Sequence, residues 1–415
     1  MVKIFSPAFF FALASIMVCQ KASPQPAGED INSLTFNSYS HFRSTLERIA
    51  LPTTGHTNPL LISAFWDSLK NRHQIPYVFG DSVAFLYYGK ASSVSWAGDF
   101  DGWDPSMAGF QGNQLGTSPI WIMEQVFPED ARLDYKIVVD GEWILDPDNP
   151  NIQYSGWGPN SELRMPGWMY PEETVLAEGI SRGTLSENMI IMSREENLGY
   201  TVQYRVYLPH DYENLSDLPV IYVTDGHEYS DDLKGSMVIV LDNLIHKQMI
   251  RPVMAVFIDP RNPEQPDQNR RMEEYTGNPG FADFVADELI PEIDSQYKTS
   301  VGAEYRAILG TSLGGWNSAF IGFKRSDKIH HIGIHSPAFD ESIIQAFSNS
   351  EKLPLNIFMS TGVIYDTQDR ARAMKAVLEE KSYPLRYIEV NEGHSWGNWR
   401  ALIDEPLIYF YGQGN

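Results

Sequence analysis

The chain has 415 residues, with 31 Lys and Arg against 54 Asp and Glu, giving a formal charge of -23 at pH 7. That balance excludes a nucleic-acid partner, which needs clustered cations to neutralise phosphates, and argues equally against a steady hold on anionic lipid; it serves solubility. With 43% hydrophobic and 13% aromatic residues, the chain is long enough for two or three domains and a sizeable core.

Residues 1–22 read as a signal peptide: Lys3 supplies the positive start, Phe9 to Val18 the apolar stretch, and Ala22 and Ser23 the small residues. The apolar run is too short for a stable membrane span. The expectation is an exported chain, periplasmic or secreted. Cys19, the only cysteine, offers a lipid anchor as the lesser alternative, because bulky Met17 and Val18 precede it. Cleavage beyond Cys19 leaves no thiol, which excludes disulfides, a cysteine metal site and a cysteine nucleophile.

Residues 23–80 read as a linker and short N-terminal helices. Phe42, Leu46 and Ile49 share one helical face; Leu60, Leu61, Ala64, Phe65 and Leu69 share another. From Asp81 the period drops to two, in Val83, Phe85, Tyr87, then Val94, Trp96, then Ile120, Ile122 and Tyr135, Ile137, Val139, with Gly, Asp and Pro turns between. This predicts a small all-β immunoglobulin-like sandwich over 81–150. Residues 151–184, rich in Gly, Pro, Asn and Trp, read as an inter-domain linker packing across both domains.

From residue 185 strands and helices alternate. Met189 to Met192 and Val202 to Leu208 read as antiparallel starting strands. Val220 to Val223 and Val253 to Ile258 are continuous apolar runs of the kind that buried parallel strands need. Helical patterns at Met237 to Lys247, Phe281 to Gln296 and Ala371 to Glu380 lie among further strands at Leu355 to Met359 and Leu385 to Val390. Residues 185–415 are therefore predicted to form an α/β domain with a mostly parallel, helix-covered sheet.

Within it, the apolar run Ala307 to Leu309 leads into Gly310-Thr311-Ser312-Leu313-Gly314. A strand turning sharply into a helix lifts such a serine clear of the backbone, and side chains at Gly310 and Gly314 would obstruct the turn. With the parallel sheet, this elbow predicts the α/β-hydrolase fold. A serine nucleophile needs a base, and the base an acid that fixes its tautomer. Beyond Ser312, two loops leave the carboxyl ends of strands, one carrying Asp366 and the other His394, in the order Ser, Asp, His. Asp369 suits a helix start, Glu392 stands too near His394 in sequence to orient it, and His330, His331 and His335 suit rim or packing roles. The oxyanion hole is assigned to the backbone N–H groups of Leu313 and His227, the latter after the strand end Thr224-Asp225-Gly226. No His-x-x-x-His or Glu-x-x-His pattern with a third ligand supports a metal.

Two resemblances add to this reading. Trp96-Ala97-Gly98-Asp99-Phe100-Asp101-Gly102-Trp103, with Tyr135 to Trp143 and Asp146-Pro147, resembles the glycogen-binding-like early-set domains that precede many carbohydrate-active and esterase domains. The resemblance implies that Trp103 and Trp143 could stack on sugar rings; we expect both instead to pack in the sandwich core or against the next domain. Asp225-Gly226, Arg271-Met272-Glu273-Glu274-Tyr275, Gly310 to Gly315 and Glu392 to Arg400 together resemble the enterochelin esterase-like family, which includes feruloyl esterases, over about residues 80–412. That implies a serine carboxylic ester hydrolase with Ser312 as nucleophile, His394 as base, Asp366 as acid and no cofactor. Arg271 and Glu274 match a motif of that family, and we expect them to form a buried ion pair bracing the pocket loop rather than to contact substrate. Trp316, Trp396 and Trp399 are the candidate substrate contacts. The expected substrate is an acylated carbohydrate or a siderophore-type ester. A carbohydrate-binding protein with an idle hydrolase domain and an acyltransferase to a sugar acceptor are the alternatives.

Overall fold

The computed structural model describes residues 34–51 and 58–412; the signal-peptide reading and Cys19 lie outside the described residues. Among these, no helix is long and apolar enough to cross a membrane.

The described chain begins with two capped helices. Ser38 accepts from His41 N–H at the start of α1 (Tyr39–Ala50), and Asn58 accepts from Leu60 and Leu61 N–H at the start of α2 (Pro59–Asn71). Helix α1 buries Phe42, Leu46 and Ile49. The expected α2 face is corrected: Leu60 is 81% exposed, and the inward stripe is Ile62, Phe65, Trp66 and Leu69. These four stand at i, i+3, i+4 and i+7, whereas Leu60 lies on the opposite side of the same helix. Both helices pack on Ala84, Leu86, Ile120 and Ile122. Each large apolar side chain so buried contributes about 1.5–3 kcal/mol, so this segment is structural rather than a tether.

Two antiparallel sheets follow. The first orders β1 (Tyr77–Phe79), β2 (Ser82–Tyr88), β5 (Ile120–Val126) and β4 (Asn113–Gln114); the second orders β3 (Val94–Gly98), β6 (Arg132–Val139), β9 (Gly158–Arg164) and β8 (Ile152–Ser155), with β7 (Glu142–Ile144) on β6. Phe85, Trp96, Met123, Tyr135 and Leu163 fill the space between them. Strands β8 and β9 fall in the segment expected to be a linker. The reason it was misread is chemical: β9 turns polar residues inward. Asn160 donates to Asp134 at 2.9 Å, Ser161 Oγ accepts from Asp146 N–H at 2.8 Å, and Glu162 accepts from Arg132 Nε at 2.5 Å. A strand that buries hydrogen-bonded polar groups carries no apolar alternation. The expected packing of Trp103 and Trp143 in the core is also corrected. They stack on each other, centroids 6.4 Å apart, on the outside of the sandwich, with Trp143 44% exposed.

The remaining strands form one sheet, in the order β10 (Thr184–Leu185), β12 (Thr201–Leu208), β14 (Met254–Asp259), β13 (Val220–Val223), β15 (Arg306–Thr311), β16 (His331–His335), β17 (Asn356–Gly362), β18 (Leu385–Val390), with β11 (Met189–Met192) also pairing β12. Pairs from β14 to β18 are parallel; β10, β11 and β14 run antiparallel to β12. Alternate residues of the central strands feed two cores. Val220, Tyr222 and Ile308 meet α5 (Arg271–Tyr275), α6 (Pro279–Phe284), α7 (Ile290–Gln296), α8 (Leu313–Lys324), α9 (Glu341–Asn349) and α10 (Gln368–Glu380). Ile221, Val223 and Leu309 meet α3 (Gly226–Tyr229), α4 (Met237–His246), α11 (Trp396–Arg400) and α12 (Asp404–Tyr411). Being apolar on both faces is what the continuous runs at 220–223 and 254–258 express.

Candidate active site

Strand β15 ends at Thr311 and α8 begins at Leu313, leaving Ser312 alone at the turn with φ 57° and ψ -118°. The conformation is held by three backbone bonds: Ser312 N–H donates to His335 O at 2.9 Å, and its carbonyl accepts from Trp316 and Ala338 N–H at 3.1 and 3.0 Å. The two glycines are required for space. A Cβ at Gly310 would meet Gly314 O at 2.3 Å, and one at Gly314 would meet Thr224 Oγ1 at 2.7 Å.

The structure brings Ser312, His394 and Asp366 together at the carboxyl edge of the sheet. Ser312 Oγ lies 2.9 Å from His394 Nε2, and His394 Nδ1 lies 2.6 Å from Asp366 Oδ1. An ionised Asp366 can only accept, so Nδ1 carries the proton and Nε2 is left to accept from the serine. Asp366 Oδ2 accepts from Ser336 Oγ and from Gly362 N–H, both at 2.6 Å. Burial raises its pKa, but the bond and charge of His394, with Ser336 and Gly362, outweigh burial and hold the carboxyl below the usual carboxylate range. Buried Asn398 donates to Gly393 O at 2.9 Å and to Asp366 Oδ2 at 3.4 Å, tying the two loops together. Ser336 and Asn398 were missed as site residues. The only sequence signals for them were the Ser336-Pro337 turn and the Gly-Asn-Trp that follows His394.

Leu313 and His227 occupy the first turns of α8 and α3, where backbone N–H groups have no acceptor within their own helix. Strands β13 and β15 are adjacent, with Val223 opposite Leu309, so the two helix starts stand side by side. Gly226 allows α3 to begin hard against β14, because a Cβ there would lie 2.3 Å from Phe257 C. The His227 ring stands 3.4 Å from Asp259, and burial lowers its pKa. The expected Arg271–Glu274 pair is corrected. Arg271 Nε donates to both oxygens of Asp225 at 2.8 and 2.9 Å, and NH2 to Thr311 O at 3.2 Å, bracing the α3 loop against the elbow. Glu274 instead accepts from Tyr200 Oη at 3.0 Å. At 1% exposure, desolvation pushes its pKa up to about 8.

A cavity of about 420 Å³ opens beside Leu313 and Ala338, lined by Trp316, Phe320, Phe323 and Ile343. Trp316 stacks on Phe320 and donates to Asp340 at 3.2 Å, leaving its ring on the cavity wall. Trp396 does not wall a site. It is 2% exposed, edge-on to Tyr229, and donates to Glu228 at 3.1 Å. Trp399 is nearly as buried and meets the His394 ring edge-on at 5.0 Å. Both are spent on packing α11.

A family profile, Esterase, described as "Putative esterase", matches residues 196–361. The chain is an esterase. The matched segment contains the elbow, while Asp366 and His394 lie just beyond its end. Among curated relatives, the esterase is 26% identical over 237 residues to the uncharacterized protein YjcH of Bacillus subtilis, covering 54% of this chain and 96% of that one. It is 25% identical over 229 residues to the endo-1,4-beta-xylanase/feruloyl esterase of Xylanibacter ruminicola, covering 52% of this chain and 30% of that one. The enterobactin esterase FES of Shigella flexneri, crystallised in the presence of enterobactin, is similar over 79% of this chain and 92% of its own, with TM-score 0.66 and 18% identity. At that identity the likeness speaks for the α/β-hydrolase-type fold.

Proposed function

We propose that this esterase is a serine carboxylic ester hydrolase working through Ser312, His394 and Asp366. The observation that carries the reading is the unbroken hydrogen-bond chain from Ser312 Oγ through the His394 imidazole to Asp366. Ser312 Oγ attacks the ester carbonyl carbon as its proton passes to His394 Nε2. The resulting oxyanion turns to the Leu313 and His227 N–H groups, which are already fixed by their helices and need no reorganisation. Collapse expels the alcohol, protonated by His394. Water then attacks the acyl-enzyme with His394 again as base, releasing the acid and restoring Ser312. Asp366, buried and held as the anion, stabilises the imidazolium formed in both halves.

The substrate reading is an acylated carbohydrate with an aromatic or branched acyl group. Support on the acyl side comes from the cavity walled by Trp316, Phe320 and Phe323. On the alcohol side it comes from exposed Trp143, stacked on half-buried Trp103, whose open face suits a sugar ring, and from the likeness to the xylanase/feruloyl esterase. The order of charged, apolar and small residues over 1–22 supports export. A panel of aryl-acyl sugar esters, acetylated sugars and a catecholate trilactone tests the substrate. The reading predicts the highest kcat/KM on the aryl-acyl sugar ester; a clear preference for the trilactone contradicts it.

A further inference from the structure

The loop that carries His394 is not held by its own sheet alone. Arg132 opens β6 of the sandwich, and its side chain is completely buried. Its backbone N–H donates to Asn391 O at 3.3 Å. Its NH1 donates to Ser395 Oγ at 3.0 Å and lies 3.7 Å from Glu392 Oε2. These three residues bracket His394. The guanidinium is anchored on the other side within its own sheet, donating from Nε to Glu162 at 2.5 Å and from NH2 to Asp134. A cation fixed by two sandwich carboxylates therefore grips the base loop before and after the histidine.

The glycines around His394 bear the imprint of this contact. Neither Gly393 nor Gly397 lies in the left-handed φ region, so neither serves a left-handed turn. A Cβ at Gly397 would lie 1.8 Å from Arg132 Cζ, and one at Gly393 would lie 2.3 Å from Asp99 Cβ. Asp99 in turn accepts from Asp134 N–H at 2.8 Å, in the same buried cluster. The sandwich thus occupies the space that side chains would otherwise take in the base loop. One guanidinium there faces Asp134, Glu162 and Glu392, so its loss would leave buried carboxylates to rearrange directly beside His394.

We propose that Arg132 is a positioning residue for ester hydrolysis: through its guanidinium contacts with Ser395 and the Glu392 carboxylate it sets where the His394 imidazole stands between Ser312 and Asp366. The N-terminal sandwich is then part of the catalytic assembly. The proposal rests on His394 being the base.

The test uses the full chain with Arg132→Met, Ser395→Ala and Gly397→Ala, beside His394→Ala. It reads kcat and KM on a p-nitrophenyl ester, the pH profile of kcat and thermal unfolding. A misplaced base predicts kcat lower by about tenfold or more, with KM within about twofold and a displaced pH limb, in proteins that still unfold cooperatively. Arg132→Lys recovers only part, since one ammonium cannot span the four acceptors. Folded Arg132→Met with unchanged kcat and pH profile overturns the proposal. If Arg132→Met does not fold, Ser395→Ala and Gly397→Ala decide by the same criterion. An active His394→Ala refutes the base assignment itself, whereas an inactive one beside fully active Arg132, Ser395 and Gly397 variants refutes the positioning role alone.

Discussion

Ser312 sits in a backbone region that costs an L-residue about 1–3 kcal/mol, and His335, Trp316 and Ala338 hold it there through its own peptide groups. The strain keeps Oγ within reach of His394 without a side-chain search. Asp366 does its work as an anion. Its depressed pKa means its stabilising contacts are complete above the unfolded carboxylate range and are lost only as pH falls through the lower folded value. Asp366→Asn should therefore lower kcat by about 10³–10⁴-fold near neutral pH with little change in KM, because an amide can present N–H to Nδ1 and favour the wrong tautomer. Steady-state kinetics on a short p-nitrophenyl ester checks this. Trp316→Ala should cost about tenfold in kcat/KM on aryl-acyl esters and much less on acetyl esters, the discrimination expected of a lost pocket wall. The three reacting side chains were readable from chain order and the turn motif. Ser336 and Asn398 were not, because their roles depend on distant loops meeting Asp366. Arg271 was read with its helical neighbour Glu274, but tertiary approach gave it Asp225.

At the scale of elements, the elbow works because β15 and α8 nearly touch. Gly310→Ala would drive a methyl onto Gly314 O at 2.3 Å, where backbone cannot yield. The expected outcome is destabilisation by about 3 kcal/mol or more, seen as a lower urea midpoint with circular dichroism as the probe; an unchanged midpoint contradicts the packing described. The buried parallel strands announced themselves as apolar runs, since both faces meet helices. Strand β16 did not, because it has a histidine at each end and Gly333 at its centre. Strand β9 was hidden by the polar groups it buries, and the inner face of α2 by two leucines at its start.

At the scale of the whole molecule, the sequence located the catalytic sheet and a β-rich region before it but left their connection unread. It runs through Arg132, Trp168 and Glu392, where Trp168 donates to Glu392 at 3.1 Å, and no periodicity encodes a buried cation 263 residues from its partner Ser395. Buried acids elsewhere make stability pH-dependent. Desolvation raises Glu274 from 4.5 to about 8. Its folded pKa lies above its unfolded one, so its favourable contribution is complete below pH 4.5 and is lost as pH rises through about 8. Glu274→Gln, which keeps the acceptor for Tyr200 without the charge, should match the parent at pH 4.5 and exceed it at pH 9 by on the order of a few kcal/mol. Denaturant titrations at the two pH values check this; parallel behaviour at both contradicts it.

The central claim is that Ser312 carries the acyl group. A fluorophosphonate probe followed by peptide mapping tests it most directly. The account predicts a single adduct on the peptide bearing Ser312, slower labelling in His394→Ala, and neither labelling nor hydrolysis in folded Ser312→Ala. An adduct on another residue, or a folded Ser312→Ala protein that still turns over esters, would contradict it.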